Sequence, residues 1–456
     1  MLDFISMALI SKTFKNTKEV SRHLCSSLPT FYHTSRTSTV VPYEILEKAL
    51  GAEDRDVVVG DLSVIKPEMS LNEEGCLVVR GAVTWKDAKE FCLANGREVG
   101  TSPTEELAGV LSGLATSCTG ERAFGFGTLR NQVVECKYLD HEGIERVLSR
   151  EKELKDHPFF ENQAALLKTY EKSFEQYSIY KNAPFPRMQV ETDLMIGTEG
   201  QLGVITEATL ETTPKAEVIY LFLMLPKWEV DYSHHLEIYQ SVQNLRDKIY
   251  ACELIDENSL SYLEEEDRPA TGKDLIFLEI DSIYFEEIYE SFLSKIKLPE
   301  EDIFEIAANK CRQLRMNIPR AIFEVNTKMG VTKKGTDVQV SPERFSDLMD
   351  YYRGFSKGGV PYNLFGHFGD AHLHFNFMPK PEENEQCQEL LEGLYKAVKG
   401  WSGSPFAEHG IGIIKQKFIG EYFTDGQYKL FSFLKGQMDP KNVLFPGGFM
   451  NMGKSN

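Results

Sequence analysis

Residues 366–377, GHFGDAHLHFNF, concentrate nitrogen-bearing side chains in one short segment. From position 371 polar and apolar residues alternate, so a β-strand would place His372, His374 and Asn376 on one face and apolar residues on the other. Burying three such polar groups costs free energy unless each of them has a partner. The pattern predicts a ligand-binding site; the alternative is a group of core histidines bonded to backbone carbonyls.

A bend ahead of that strand adds another histidine. Gly366 and Gly369 flank His367, and glycine permits the tight reversal of the chain that this spacing suggests. The reversal would allow His367 to fold back and meet His374. We therefore expect the two imidazoles to converge.

A carboxylate and an imidazole stand next to each other in residues 402–412, SGSPFAEHGIG. Adjacent residues on an extended loop point in opposite directions, so Glu408 can bind a metal while His409 faces a substrate. Together with His367 and His374, Glu408 would complete a three-ligand site with open positions, the arrangement that catalytic zinc uses. The alternative for this segment is an ordinary ion pair within a loop.

A glycine-spaced segment occupies residues 194–214, LMIGTEGQLGVITEATLETTP. Gly197, Gly200 and Gly203 would let backbone N–H groups come close to a ligand. The segment lies between two expected strands and does not open a helix, which argues against a nicotinamide-binding turn. Simple turns are the alternative explanation for these glycines.

The whole chain must supply the elements that position these residues. It has 456 residues, of which 42% are hydrophobic, so we expect two folded domains. The formal net charge of -19 disfavours nucleic acid as a partner, because phosphate backbones would be repelled. An anionic substrate would need a local cationic pocket or a metal.

Targeting signals are not evident in the sequence. The eight cysteines form no CxxC pair, the N-terminus lacks the pattern of a signal peptide, and no run of about 18 apolar residues occurs. We expect a reduced, cytoplasmic protein, and docking at the periphery of a membrane stays open.

The order of expected elements predicts an α+β fold whose second half is an antiparallel sheet backed by helices. The expected units are residues 1–215, with a helical surface insertion over 150–182, then 216–400, and a C-terminal segment over 401–456.

Several motifs resemble those of one enzyme family. The glycine-spaced segment, GHFGDAHLHFN, AEHGIG, residues 77–96, residues 112–143 and the closing DPKNVLFPGG together resemble the FAD-linked oxidases of the vanillyl-alcohol-oxidase type. The resemblance runs from about residue 56 to residue 449. It implies a two-subdomain FAD-binding domain of the PCMH type, followed by a substrate (cap) domain with an antiparallel sheet, and it implies oxidation of a D-2-hydroxy acid to a 2-oxo acid.

The resemblance also implies roles for individual residues. His367, His374 and Glu408 would hold a divalent metal, with zinc as the expected ion, and His409 would be the catalytic base. Substrate would bind to three residues: Arg315, Asn376 and Lys334, with Lys333 as the alternative lysine. Flavin contacts would come from Thr116, Ser117, Gly120, Gly127, Thr128, Gly197, Glu199, Gly200, Gly203, Val204 and Ile205.

The implied partners are a small 2-hydroxy acid and an electron acceptor of the electron-transfer flavoprotein, quinone or cytochrome class; a homodimer is left open. The family's glycine-rich pyrophosphate loop is replaced by SRTSTVV, where the hydroxyls of Ser35, Thr37, Ser38 and Thr39 could bond phosphate oxygens. His372 is an extra candidate ligand or a packed core residue. Two alternative functions therefore stay open: a degenerate flavoprotein with weakened FAD binding, and the carbon–oxygen exchange of the family's ether-lipid branch.

Overall fold

The computed structural model of the chain describes residues 9–37, 40, 41, 46 and 56–451. The strands in these ranges are β1 (Leu9–Thr13), β2 (Thr30–His33), β3 (Val57–Asp61), β4 (Glu68–Leu71), β5 (Leu77–Arg80), β6 (Arg97–Val99), β7 (Val133–Leu139), β8 (Glu145–Ser149), β9 (Val204–Leu210), β10 (Thr212–Pro214), β11 (Val218–Leu225), β12 (Ile249–Ile255), β13 (Asp274–Asp281), β14 (Ile303–Ile306), β15 (Lys334–Gly335), β16 (Tyr362–His367) and β17 (His372–Phe377). The α-helices are α1 (Thr17–Leu24), α2 (Trp85–Ala94), α3 (Val110–Thr116), α4 (Ala123–Phe126), α5 (Leu129–Gln132), α6 (Ala164–Glu171), α7 (Ser233–Val242), α8 (Glu257–Ser261), α9 (Phe285–Ser291), α10 (Ala308–Met329), α11 (Phe345–Ser356), α12 (Asn384–Gly400), α13 (Gln416–Tyr422) and α14 (Asp425–Met438).

The N-terminal strands form a small parallel sheet in the order β1-β3-β2. Its central strand contains Val57, Val58 and Val59, all buried, as expected for a parallel strand covered on both faces. The chain leaves β2 into the loop that carries the hydroxyl residues. Ser35 and Thr37 are described there, whereas Ser38 and Thr39 lie outside the described residues.

A five-stranded antiparallel sheet follows, in the order β4-β5-β9-β7-β8. Helix α2 begins with a capping box between Thr84 and Asp87 and buries Trp85 completely. The central strand β9 starts at Val204, directly after the glycine-spaced segment, so this sheet fixes the position of that segment.

The second half contains a seven-stranded antiparallel sheet in the order β14-β11-β13-β12-β16-β17-β15. Helix α10 covers one face, where Ile318 and Ile322 pack with Phe277. Helix α11 covers the other face, where Tyr352 stacks on Phe375 with ring centroids 5.2 Å apart. The predicted α+β class with an antiparallel second sheet is confirmed.

Residues 150–182 differ from the expected surface insertion. The segment consists of α6 and short 3-10 turns, and five of its six phenylalanine and tyrosine side chains are buried. Tyr170 packs edge-on against Phe174 and against Phe431 of α14. The many charged residues of the segment obscure this apolar stripe in the sequence. In the structure the stripe packs the segment against the C-terminal helices.

The C-terminal segment returns to the N-terminal sheets. The backbone N–H of Phe445 donates to the carbonyl of Thr30 over 2.9 Å, and Lys435 Nζ donates to the carbonyl of Gln201 over 2.8 Å. Among the helices of the described residues, none combines the length and the apolarity required to cross a bilayer.

A buried carboxyl group lies at the start of α8, away from the histidines. Asp256 Oδ1 accepts the backbone N–H groups of Ser259 (2.8 Å) and Leu364 (3.1 Å), whereas Oδ2 has no hydrogen-bond partner among the described residues. Burial, reinforced by the charge of Asp274, raises the pKa of Asp256 from its ordinary 3.8 to about 7.

We expect Asp256→Asn to gain stability relative to the unmodified protein as the pH rises. Because the folded-state pKa of Asp256 is raised, its favourable contribution to the free energy of unfolding is complete below about pH 4 and is lost as the pH approaches about 7. The asparagine keeps the accepting oxygen but cannot ionise. The difference in the free energy of unfolding between the two proteins should therefore change by roughly 4 kcal/mol across this window. Urea unfolding at both ends of the window measures it, with the exposed Asp267→Asn as control; a pH-independent difference would contradict the assignment.

Candidate active site

The β16–β17 hairpin positions the histidines. Its register pairs His367 with His372 and Phe365 with His374. A Cβ on Gly366 would lie 2.8 Å from the His374 ring, so a larger residue does not fit at this bend. The rings of His367 and His374 are diagonal neighbours whose centroids are 5.8 Å apart.

The carboxylate of Glu408 lies between these two histidines. Its Oε2 is 3.0 Å from His367 Nε2 and its Oε1 is 2.9 Å from His374 Nε2. The His367 side chain is 5% exposed and those of His374 and Glu408 are each 11% exposed. Ligand atoms that bind one zinc ion lie within about 4.4 Å of each other, because each is about 2.0–2.2 Å from the metal. The two oxygen-to-nitrogen distances are within that limit. His367 and His374 themselves fall into different groups of mutually close ligand atoms, so the three predicted ligands meet at Glu408 without all lying within 4.8 Å of one another.

The second nitrogen of each imidazole has its own partner. His367 Nδ1 is 2.8 Å from Glu253 Oε1, and His374 Nδ1 is 3.2 Å from the carbonyl oxygen of Thr336. Histidines that bind metals usually donate their other N–H to such a group, which fixes the orientation of the ring. Sequence reasoning missed Glu253; its only signal is a glutamate within the apolar strand β12.

The charges around the cluster favour a bound cation. Burial alone would lower the pKa of His367, but the facing Glu253 and Glu408 outweigh it and raise that pKa to about 10. Burial alone would raise the pKa of Glu408, but His367 and His372 hold that pKa well below its ordinary value. A divalent ion can replace the proton held between carboxylate and imidazole, because metal binding releases such protons.

The ligand atoms fall into two overlapping groups that share Glu408. One group is formed by His367, His372 and Glu408, and the other by Asp337, His374, Glu408 and His409; within each, the atoms lie within 4.8 Å of one another. His372 is fully buried, its Nε2 lies 3.1 Å from Asp337 Oδ1, and burial lowers its pKa to about 3.

Asp337 connects the cluster to the loop that carries Glu408. It accepts the backbone N–H groups of Glu408 (3.1 Å) and His409 (3.2 Å) and forms an ion pair with Lys415. Burial would raise the pKa of Asp337, but the Lys415 ammonium holds it below its ordinary value. Sequence reasoning missed Asp337, because we interpreted its segment, KKGTDVQVS, only for the lysines.

The imidazole of His409 stacks on His374, with centroids 5.3 Å apart and planes 10° from parallel. Its Nε2 is 3.4 Å from Glu408 Oε1, and its side chain is 37% exposed. The expectation that Glu408 and His409 point in opposite directions is wrong. Both backbone N–H groups turn towards Asp337, so the loop is not extended and the two side chains meet.

Glu199 joins the glycine-spaced segment to the same loop. Its Oε1 accepts the backbone N–H groups of Ile411 (2.7 Å) and Gly412 (3.0 Å). A Cβ on Gly410 would lie 2.7 Å from this oxygen, so glycine is required there. Burial raises the pKa of Glu199 to about 7.

The residues expected to bind substrate line the same cavity as the histidines. Arg315 Nη1 is 2.5 Å from Glu121 Oε1, a partner that sequence reasoning did not predict. Asn376 is buried, and its Nδ2 donates to Asn363 Oδ1 over 2.9 Å. In the strand register Lys334 pairs with Phe377, and paired residues project from the same face of the sheet. Lys334 therefore belongs to the apolar face of β17 and not to the face that carries Asn376.

The cavity has a volume of about 1800 Å³ and extends from the histidines to the glycine-spaced segment and the loop after β2. Six of the predicted flavin contacts line it: Thr116, Glu199, Gly200, Gly203, Val204 and Ile205. The other five do not line it: Ser117, Gly120, Gly127, Thr128 and Gly197.

The lining leaves room for a large cofactor. A Cβ built on Gly200 would meet only the Gly203 carbonyl oxygen, at 3.9 Å, so the space above this backbone is open. Ser35 and Thr37 reach the cavity at its other end with hydroxyls 3.3 Å apart. The lining residues therefore fit a dinucleotide cofactor. The hydroxyls of Ser35 and Thr37 lie where a glycine-rich pyrophosphate loop was expected.

Known proteins share both the sequence features and the fold. Residues 237–448 match the family model of the C-terminal domain of FAD-linked oxidases. A mitochondrial D-lactate dehydrogenase [cytochrome] of Kluyveromyces lactis is 24% identical over 95% of this chain and 72% of its own length. A mitochondrial D-2-hydroxyglutarate dehydrogenase of Arabidopsis thaliana is 25% identical over 95% of this chain and 73% of its own length.

A solved structure of an alkyldihydroxyacetonephosphate synthase has the same fold. It superposes with a TM-score of 0.68 at 14% identity, covering 96% of this chain and 76% of the other. The resemblance inferred from the motifs is thereby confirmed. Residues 237–448, which include the histidine hairpin and the Glu408 loop, are thus similar to the C-terminal domain of FAD-linked oxidases.

Proposed function

We propose that this chain is an FAD-dependent dehydrogenase that oxidises a D-2-hydroxy acid to the 2-oxo acid. The observation that carries the proposal is the convergence of Glu408 with His367 and His374 in one cavity that also contains Arg315 and the glycine-spaced segment. The similarity to D-lactate and D-2-hydroxyglutarate dehydrogenases supports it.

Two groups from outside the chain belong to the proposal. Bound FAD would accept the hydride from the substrate's α-carbon, and a divalent ion, with zinc as the expected one, would lower the pKa of the substrate hydroxyl. His367, His374 and Glu408 would hold the ion. The cavity-lining residues Glu199 and Gly200 would lie against the flavin.

The residues of the chain bind and orient the substrate. The Arg315 guanidinium would donate to its carboxylate as a planar fork, and Asn376 would donate to an oxygen nearby. We keep Lys334 as the proposed substrate lysine. Lys333 also lines the cavity and stays the alternative, because Lys334 lies opposite Phe377.

His409 would remove the proton of the substrate hydroxyl. Its imidazole is partly exposed and stacks on His374, next to the proposed ion. The Asp337 carboxylate lies 3.8 Å from Nδ1 and the Glu408 carboxylate lies 3.4 Å from Nε2. With Glu408 bound to the ion, Asp337 would keep a proton on Nδ1 and leave Nε2 to accept another. Bound FAD would supply the two-electron acceptor for the hydride of the C–H bond, and His409 would take the proton of the hydroxyl as the C=O bond of the product forms.

The electrons would then pass to an acceptor of the electron-transfer flavoprotein, quinone or cytochrome class. A cytoplasmic location is part of the proposal. The names of the two relatives place those proteins in mitochondria. An alternative is the chemistry of an ether-lipid synthase, to which the shared fold alone gives support.

Anaerobic mixing with D-2-hydroxy acids tests the proposed function. We expect the purified protein to show flavin absorption and to lose it when a D-2-hydroxy acid is added, because two electrons move to the flavin. The L-enantiomers and an alkyl ketone phosphate serve as controls and should leave the spectrum unchanged. Bound flavin that no 2-hydroxy acid reduces would contradict the dehydrogenase, and absence of flavin from the protein would favour a degenerate flavoprotein.

A further inference from the structure

The wall of the cavity beside the histidines is apolar. The antiparallel register places Phe365 directly opposite His374, Ile255 opposite Phe365, and Phe277 opposite Glu253. Residues opposite each other in antiparallel strands project from the same face of the sheet. These three apolar side chains therefore share the face that carries the histidine cluster.

This wall is continuous with the histidines and with helix α10. The rings of Phe365 and His374 are 5.9 Å apart at their centroids, and the Arg315 guanidinium carbon is 5.5 Å from the Phe277 ring centroid. Ile318 and Ile322 of α10 line the cavity next to them. A substrate whose hydroxyl and carboxylate lie between Glu408 and Arg315 would place its side chain against this wall.

The cations near the histidines already have carboxylate partners. Arg315 Nη1 contacts Glu121 Oε1 at 2.5 Å, and its Nη2 donates to Thr104 Oγ1 over 3.3 Å. A guanidinium has five N–H donors, so these two contacts leave donors for one substrate carboxylate. Lys415 is paired with Asp337.

The cavity lysines are less suited to binding a second carboxylate at this position. Lys333 and Lys334 lie at the start of β15, at the edge of the sheet beyond β17, whereas the apolar wall lies on β13, β12 and β16. Lys334 is also paired with Phe377, on the other face of β17. A second substrate carboxylate that follows the wall would therefore lie beside Glu121, Glu253 and the strands β12, β13 and β16, which contain no lysine or arginine.

We propose that this site takes monocarboxylic 2-hydroxy acids with an apolar side chain, and that Glu121 sets the preference by keeping Arg315 paired. The proposal rests on the proposed function, and it adds the class of substrate and a residue that determines specificity. Each methylene group that reaches the wall should raise kcat/KM by about fourfold.

The test compares three D-2-hydroxy acids in the flavin-loaded protein: lactate, 2-hydroxyisocaproate and 2-hydroxyglutarate. We expect kcat/KM to be highest for 2-hydroxyisocaproate and lowest for 2-hydroxyglutarate. Glu121→Gln should raise the ratio of 2-hydroxyglutarate to 2-hydroxyisocaproate by at least about tenfold, because Arg315 loses its internal carboxylate. Glu105→Gln removes a negative charge from the same cavity without a contact to Arg315 and should leave the ratio unchanged.

Phe365→Ala provides a second measurement if Glu121→Gln does not fold. It should lower kcat/KM for 2-hydroxyisocaproate much more than for lactate. A preference of the unmodified protein for 2-hydroxyglutarate would overturn the substrate class while the dehydrogenase activity stands. An unchanged ratio in folded Glu121→Gln would overturn the role of that residue. If none of the acids reduced the flavin, the proposed function would fall first, and this inference with it.

Discussion

Replacing His409 by alanine is expected to slow the reduction of flavin by substrate by about 10²–10⁴-fold, the usual contribution of a positioned base. Flavin should stay bound, because the contacts that fix this loop are made by backbone N–H groups: His409 to Asp337, and Ile411 and Gly412 to Glu199. The side chain of His409 is 37% exposed, so its loss leaves no large buried cavity. Anaerobic stopped-flow spectroscopy measures the rate, and the absorption spectrum reports the bound flavin.

The control for this experiment is His234→Ala. His234 is a partly exposed histidine on α7 that does not line the cavity, so its removal should change neither the rate nor the flavin content. A His409→Gln variant separates proton transfer from packing, since glutamine retains polar contacts but is not a base at neutral pH. Rates of His409→Ala within a few-fold of the unmodified protein would exclude His409 as the base.

The histidine hairpin could be predicted because its information is local. Twelve consecutive residues contain both the glycines of the bend and the alternation that places His372, His374 and Asn376 on one face. The structure confirms the alternation, since Phe375 packs on Tyr352 on the opposite side. The antiparallel class of the second sheet was also accessible, because β11 and β13 are apolar runs, but β12 and β16, which join β17 to the rest of the sheet, were not predicted.

The acidic partners could not be predicted in the same way. Glu253 is 114 positions from His367, Asp337 is 71 positions from Glu408, and Glu121 is 194 positions from Arg315. A single acid in a strand or loop carries no local sign of the partner it will meet. Their positions depend on how strands and helices from distant parts of the chain pack, which periodicity does not specify.

The convergence of the Glu408 and His409 side chains illustrates a related limit. Alternation predicts opposite directions for neighbours on an extended chain, and the error arose because the loop is bent by contacts from Asp337 and Glu199. Those contacts come from other segments. Local rules therefore identified the residues of the site but not their relative orientation.

Replacing Glu408 by glutamine is expected to remove the bound divalent ion. The carboxylate is the one anionic member of the proposed ligand set and lies 2.9–3.0 Å from both histidine nitrogens. A neutral amide would face His367 and His374 without the charge that attracts the ion. Changing even an outer partner of a ligand costs about 10–100-fold in metal affinity or activity, so loss of the ligand itself should cost at least about 100-fold.

The metal content of the protein after extensive dialysis tests this expectation, together with the rate of flavin reduction before and after the ion is restored. Glu253→Gln provides a graded comparison, because Glu253 contacts the distal nitrogen Nδ1 of His367, so its replacement should weaken metal binding by about 10–100-fold without abolishing it. Glu389→Gln, which changes an exposed carboxyl group on α12, should have no effect.

Full metal content in Glu408→Gln would show that Glu408 is not a ligand. An unmodified protein that reduces its flavin at full rate without any metal would mean instead that the buried carboxylate and the raised pKa of His367 serve proton storage. The order of the three variants distinguishes these cases, because only a shared ion makes the loss of Glu408 much more severe than the loss of Glu253.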